Sequence, residues 1–425
     1  MLRLPLPVCE SEGLSNVCPY SSKAQLFRPV ARCLALALAF SLIVPTPGVA
    51  VVLPSDRVDG QTRTELGLPK AALPDVTMAA GILATDDGRV LWARRAADRR
   101  AIASITKVMT AIVVMEETAP DELITIPRSS TRVGESTAFL REGEKLPVSE
   151  VLEALLVKSG NDAAVALAAH VAGGEEPFVD LMNAKARELG LKRTHFKNPH
   201  GLDEEGGYAS ASDVVVMTRY AMTKPLFRRI VAQKTAVIGS GARAEKVLST
   251  NLLIGNYAGA NGIKTGWTSD AGYSVVVSAA RDGVELQAVV LGTTNELRRF
   301  RDAREMLDFG FAHYRPQKLV SAGSVIGEAA VTDYLDVTVP AAVSEDVTVT
   351  VFDLAGPITR EVTTPDVAAP VRAGQRIGVA TFTQGDEVVA TIPLVAAADV
   401  ERPGPLERIG IALTRAWRKL SGAPE

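Results

Sequence analysis

Residues 78–84 and 89–92 are apolar runs flanking Asp86-Asp87-Gly88. An Asp-Gly pair between such runs predicts a β-hairpin, because both residues tolerate the backbone of a tight turn. The period then changes. Ile105, Val108, Met109, Ile112 and Met115 recur at helical spacing across 104–117, which predicts a helix set into a core. Val151, Leu152, Leu155 and Leu156 mark a second helix, 165–171 continues as another, and 177–189 forms one that stops at Gly190. Asn198-Pro199-His200-Gly201-Leu202 reads as a loop. Strands are predicted at 273–280 and 284–291, joined through Asp282-Gly283, and a helix from about 296 to 314 follows. Strands at both ends with helices between them predict an α/β sandwich whose sheet is assembled from distant segments, within a unit spanning 74–315.

A second region, 316–398, changes character. Residues 347–351 alternate with period two, and 377–382 pair with 388–392 across Gly385-Asp386, which predicts a small all-β domain. The stretch 399–425 carries a last helix, about 406–420, with Leu406, Ile409, Leu413, Ala416, Trp417 and Leu420 on one side. Arg408, Arg415, Arg418 and Lys419 fall opposite, while Ile411 interrupts the charged side. Such a helix either makes peripheral contact with an anionic membrane or docks on its own protein.

The N-terminal pattern points outside the cytoplasm. Lys23, Arg28 and Arg32 precede a run from Cys33 to Val44 that is apolar except for Ser41, and small residues follow up to Ala50. Residues 1–50 therefore read as a signal peptide, the alternatives being a buried helix or an uncleaved anchor. Residues 51–73 are polar and breaker-rich, as in an exposed leader. The three cysteines, Cys9, Cys18 and Cys33, all lie in that N-terminal stretch; a cysteine-free remainder suits an oxidising exterior. At 425 residues, 47% hydrophobic and 22% charged, the chain has an ordinary globular balance, and a net charge of −3 gives no reason to expect nucleic acid.

Ser104-Ile105-Thr106-Lys107 places a hydroxyl and an amine three residues apart at a helix start, where they share a face. That is a nucleophile with a base beside it, useful only if the amine is neutral when the serine proton leaves. Ser159-Gly160-Asn161 lies between two predicted helices, where Ser and Asn serve equally as caps or as groups pointing into a cleft. Ser249-Thr250-Asn251 has the same spacing, but precedes the run into Lys264-Thr265-Gly266. The four histidines show no HExxH pattern, and His195 and His200 sit in loops, so no metal site is expected.

In this order the segments follow the SxxK, SxN and KTG set of penicillin-binding proteins and class A β-lactamases. The chain resembles the serine D-alanyl-D-alanine carboxypeptidases, low-molecular-mass penicillin-binding proteins of peptidase family S11. The resemblance covers about 75–420 and includes Ala271-Gly272-Tyr273. It implies a β-lactamase/transpeptidase-like α/β sandwich with a helical subdomain, then a β-rich domain and a basic terminal helix. It also implies removal of the last D-alanine from peptidoglycan stem peptides through a Ser104 acyl-enzyme, acylation of Ser104 by β-lactams, and no cofactor.

The residue roles it implies are as follows. Lys107 is the acylation base, its neutral form favoured both by desolvation and by a second nearby cation, which Lys264 would supply. The amides of Ser104 and Trp267 form the oxyanion hole. Ser159 relays a proton to the leaving amine and Asn161 orients the substrate amide. Lys264 and Thr265 take the terminal carboxylate, Gly266 admits the substrate backbone, and Arg301 assists, with Arg298 and Arg299 as competitors or all three as a solvated helix face. A class A β-lactamase is the nearest rival, but SDN and an ExxLN loop are missing. A catalytically silent wall-binding homologue would keep the cleft and lose the chemistry.

Overall fold

The computed structural model describes residues 56–239 and 241–421. The export segment 1–50, its cysteines and residues 51–55 of the leader lie outside them. The rest of the leader, although many of its residues are exposed, is anchored on the fold. β1 (Arg57–Val58) pairs with β2 (Gln61–Thr62) and with β4 (Val90–Arg94), Val58 and Leu73 are buried, and the buried Asp56 carboxylate meets the Arg94 guanidinium at 2.7 Å. The polar composition of 51–73 conceals these contacts because the strands are only two residues long and one anchor is an ion pair.

β3 (Ala80–Thr85) and β4 form the predicted hairpin. Between β4 and the next long strand lies the helical body. It contains α1 (Lys107–Glu117), α2 (Val148–Leu156), α3 (Asn161–Ala172), α4 (Glu175–Glu188), α5 (Ala211–Met222) and α6 (Pro225–Val231). Two small hairpins, β5 (Leu123–Thr125) with β6 (Lys145–Pro147) and β7 (Thr235–Ile238) with β8 (Glu245–Leu248), flank it. β9 (Ala260–Thr268), β10 (Gly272–Arg281) and β11 (Val284–Thr293) then complete a seven-stranded antiparallel sheet ordered β2-β1-β4-β3-β11-β10-β9. Side-chain parity splits its faces. Val275 and Val277 of β10 with Leu286, Ala288 and Val290 of β11 pack against Phe300, Ala303, Met306 and Leu307 of α7 (Glu296–His313). Val276, Val289 and Leu291 instead join the core of the helical body.

α1 runs through that core, with every residue from Lys107 to Val114 buried. A helix apolar all round belongs inside, and it carries its one cation inside with it. The helix does not begin at Ser104 as expected: Ala103–Thr106 is a 3₁₀ turn and the α-helix starts at Lys107. α5, α6 and the β7/β8 hairpin have no counterpart in the sequence-based expectation, although two start signals are present. The Ser210 hydroxyl caps α5 by accepting from the Asp213 amide at 3.1 Å, and Pro225 opens α6.

α7 runs directly into β12 (Tyr314–Val320), which pairs with β15 (Val347–Phe352). β13 (Val325–Ala330), β14 (Thr338–Ala342), β16 (Ile358–Thr363), β17 (Arg376–Gln384) and β18 (Glu387–Ala396) form a five-stranded antiparallel sheet ordered β13-β14-β18-β17-β16 around Val339, Ala341, Phe382 and Leu394. The β17/β18 turn is the predicted one, with Gly385 at φ +58°.

α8 (Pro405–Ser421) touches its own protein through its basic side and leaves its apolar side uncovered. Its basic side faces the β-rich region, Arg415 donating to the carbonyls of Thr332 and Tyr334 and Arg418 pairing with Asp336 at 3.2 Å. Its apolar side is bare, with Leu406 86% and Trp417 70% exposed. No helix among the described residues is long and apolar enough to cross a membrane.

Candidate active site

Lys107 is completely buried, and its ammonium nitrogen contacts Ser104 Oγ at 2.8 Å, Asn161 Oδ1 at 2.7 Å and the His200 carbonyl at 2.6 Å. Burial is the main influence on this amine and lowers its pKa to about 7, against an opposing pull from Asp162 and Glu135. Two of its three partners are carbonyl oxygens, which only accept. A neutral amine has two hydrogens and one lone pair. Once Lys107 gives its hydrogens to Asn161 and His200, the lone pair is directed at the Ser104 hydroxyl, which must then donate.

A second buried amine lies across the cavity. Lys264, on edge strand β9, donates to Ser159 Oγ at 2.8 Å and to the Thr265 carbonyl at 3.0 Å. Its pKa is driven well below the usual lysine value, first by burial, then by repulsion from Lys107 and Arg299. Desolvation thus favours the neutral form of both amines, and repulsion between the two lysines works in the same direction.

Ser159 and Asn161 do not act as caps. Gly160 is the N-cap of α3 and has no side chain to offer, while Asn161 is already the first helical residue. Ser159 is buried with φ +69°, a left-handed conformation that costs a serine on the order of 1 kcal/mol and is found where the surroundings hold it. Asn161 gives Oδ1 to Lys107 and donates from Nδ2 to the Gly134 carbonyl at 2.9 Å.

Ser104, Ser159, Asn161, Thr265, Gly266 and Trp267 line one cavity of about 520 Å³. Trp267 is 49% exposed and lies 5.7 Å from the Tyr273 ring. Gly266 has a reason beyond admitting substrate. A Cβ there would meet the Ile102 carbonyl at 2.8 Å and the Ser104 amide nitrogen at 3.2 Å, so glycine lets the nucleophile's turn press against β9 and leaves that amide uncovered.

Arg301 is not part of this cavity. It is half exposed and pairs with Asp75 at 2.8 Å. Its competitor Arg299 lines the cavity, 5% exposed, donating to the Gly266 carbonyl at 3.2 Å and to Glu296 at 2.8 Å. On α7 the two positions are two residues apart and face different ways, and the spacing that puts Phe300 and Ala303 into the core separates them. Arg298 is left to the N-terminal turn, where its amide donates to the Asn295 cap.

The sequence reading also passed over contributors. Thr250, inside the discarded Ser249-Thr250-Asn251, accepts from Thr265 Oγ1 at 2.6 Å and lines the cavity, and Asn251 braces β9 through the Gly262 carbonyl at 3.0 Å. The 198–202 loop works through its backbone: Pro199 accepts from Thr110, and His200 holds Lys107. Asp162, buried at the start of α3, accepts from Thr137 Oγ1 and from the amides of Ala138 and Leu140, which fixes the segment carrying Glu135 and Ser136 to the cavity rim. An acidic residue in a first helical turn was the available signal. Among the described residues no group of three or more His, Cys, Asp or Glu could hold a metal ion.

A serine bonded to a buried, half-depressed lysine, with a second serine–lysine pair opposite and a free sheet edge beside both, defines an active-serine acyl-transfer enzyme. Comparison with known proteins specifies which. Residues 70–295 match the D-alanyl-D-alanine carboxypeptidase family, peptidase S11, and residues 314–402 match the C-terminal domain of penicillin-binding protein 5. The chain is 31% identical to D-alanyl-D-alanine carboxypeptidase DacF of Bacillus subtilis, over 77% of this chain and 86% of that protein. The solved structure of penicillin binding protein 6B from Escherichia coli superposes with a TM-score of 0.59 at 29% identity, covering 76% of this chain and 96% of that one. That of penicillin binding protein 5 from Haemophilus influenzae gives 0.58 at 28%, over 77% and 99%. The chain belongs to the D-alanyl-D-alanine carboxypeptidase family S11.

Proposed function

We propose that the protein removes the terminal D-alanine from peptidoglycan stem peptides ending in D-Ala-D-Ala, and that β-lactams acylate the same serine. The observation that carries this reading is the lone pair of Lys107, left with the Ser104 hydroxyl as its only remaining partner. Ser104 Oγ attacks the carbonyl of the penultimate residue as Lys107 takes its proton, and the amides of Ser104 and Trp267 receive the oxyanion. The C–N bond then breaks, and the departing amine gains a proton through Ser159. Water hydrolyses the ester, returning the proton to Ser104. Asn161 orients the substrate amide.

Lys264, Thr265, Gly266 and Arg299 receive the terminal carboxylate. An anion placed beside Lys264 raises the pKa of that amine, so substrate binding opposes the lowering that burial imposes on it in the free enzyme. We assign the peptidase unit to 56–315, rather than from 74, since β1 and β2 belong to its sheet, the β-rich domain to 316–398 and the terminal helix segment to 399–425.

Export by residues 1–50 would place the enzyme at the outer face of the cytoplasmic membrane or in the cell wall. The bare apolar side of α8 supports peripheral contact with that membrane, since six exposed apolar positions on one helix gain little in water. Incubation with a fluorescent penicillin and, separately, with a peptide ending in D-Ala-D-Ala tests the reading. We expect one label per chain on Ser104, slow to leave, and release of free D-alanine. Rapid penicillin turnover would instead make it a β-lactamase, and an unlabelled protein a silent homologue.

A further inference from the structure

The loop Asn198-Pro199-His200-Gly201-Leu202 presents two successive carbonyls to α1: Pro199 accepts from Thr110 Oγ1 at 2.6 Å and His200 from Lys107 Nζ at 2.6 Å. The loop reaches that place only with glycine at 201. Gly201 has φ +86°, and a Cβ on it would collide with the Ala103 carbonyl in the nucleophile's turn. Glycine brings with it a backbone freedom that works against a fixed carbonyl, and two side chains remove that freedom. Asn198 Oδ1 accepts from the Gly201 amide at 2.6 Å, which holds the same peptide unit whose carbonyl meets Lys107. The Leu202 amide donates to His200 Nδ1 at 3.2 Å, which holds the next unit, and that ring is the amide's only partner among the described residues. His200 is 8% exposed. A neutral ring that accepts at Nδ1 carries its hydrogen on Nε2, and Nε2 lies 3.3 Å from Glu175, the first residue of α4. The ring is therefore pinned between its own loop and α4.

We infer that the His200 imidazole is a positioning residue for the catalytic lysine, acting through its own backbone. Nδ1 fixes the turn at Gly201, and the turn fixes the direction of the His200 carbonyl. That carbonyl takes one of the two hydrogens of neutral Lys107, which leaves the lone pair for Ser104. Without the Nδ1 acceptor the Leu202 amide is orphaned at the wall of the catalytic cavity. Gly201 is then free to turn until that amide finds another partner, and the carbonyl turns with it. The inference rests on Lys107 being the acylation base. It sets a requirement on the side chain at 200 that a carbonyl alone would not impose: an acceptor that reaches the amide two residues on. Asparagine meets it, since its side-chain oxygen accepts from that amide in an Asx turn. Leucine, an apolar filler of similar size, does not.

The test compares the full-length protein with His200→Leu and His200→Asn, following intact-protein mass against time at rising penicillin concentrations. We expect His200→Leu to slow acylation at saturating penicillin by roughly ten- to a hundredfold, the loss that follows a misplacement of up to about 1 Å. The half-saturating concentration should stay within about threefold, because the base rather than the binding wall is disturbed. His200→Asn should recover most of the rate. A spectroscopic measurement on the unaltered protein checks the same contact: with isotopically labelled histidine, the His200 signal, identified by its loss in either variant, should show a bare Nδ1 and a protonated Nε2 at neutral pH. Acylation undiminished in His200→Leu, equal slowing in both variants, or the hydrogen on Nδ1 overturns the positioning role. An unaltered enzyme that takes no penicillin label, or Lys107→Ala labelling at full rate, would instead overturn the reading of Lys107 on which the role rests.

Discussion

The catalytic cleft and the terminal helix invert the usual partition of residues in opposite senses. In the cleft, two lysines that ordinarily stay in water are at most 1% exposed, while on α8 leucines and a tryptophan that ordinarily hide are bare. Each inversion is costly in isolation. The cleft offsets its cost with hydrogen bonds to nearly every polar atom and with amines driven toward neutrality. Among the described residues nothing compensates the bare apolar side of α8. Misplaced polarity inside a core therefore reports chemistry completed by the protein itself, whereas misplaced apolarity outside reports a surface that something else completes.

Breaking the cleft should have the largest effect. Lys107→Ala leaves Ser104 without a base and the Asn161 and His200 oxygens without their shared donor, so acylation by penicillin should slow by roughly a thousandfold. Stopped-flow labelling measures it, and a loss under tenfold would assign the base elsewhere. Asp162→Ala comes next. It strips a buried acceptor from Thr137, Ala138 and Leu140, and should cost about 3 kcal/mol in denaturant unfolding while loosening the Glu135 rim. A change below 1 kcal/mol would make Asp162 dispensable to that rim. The smallest effect on the fold belongs to α8. Leu413→Asp, at a residue 67% exposed, should leave stability within about 0.5 kcal/mol yet weaken sedimentation with anionic lipid vesicles. Unaltered vesicle binding would break the comparison on the α8 side.

Local signals carried much of this into the sequence, and the misses have physical reasons. The β3/β4 and β17/β18 hairpins were legible from their Gly turns, and Lys264 on a strand from its neighbours, because each depends on residues close in sequence. Arg299 was hidden behind Arg301 because helical phase two residues apart decides which side chain enters the cleft, and only the packing of α7 on β10 and β11 sets that phase. Residues 56–73 read as leader because their pairing partners, β4 and Arg94, lie 34 to 38 residues away. The backbone carbonyl of His200, a ligand of the catalytic lysine, has no sequence signature, since every residue carries one.

The central claim is that burial makes Lys107 a base at neutral pH. The most direct measurement is the rate at which penicillin acylates Ser104, followed by intact-protein mass spectrometry across pH. An amine with a pKa of about 7 is mostly ammonium below that value, so the rate should fall about tenfold per pH unit on the acid side and level off above neutrality. A rate that keeps rising to pH 10, as for an ordinary lysine, or one indifferent to pH between 5 and 8, would contradict it.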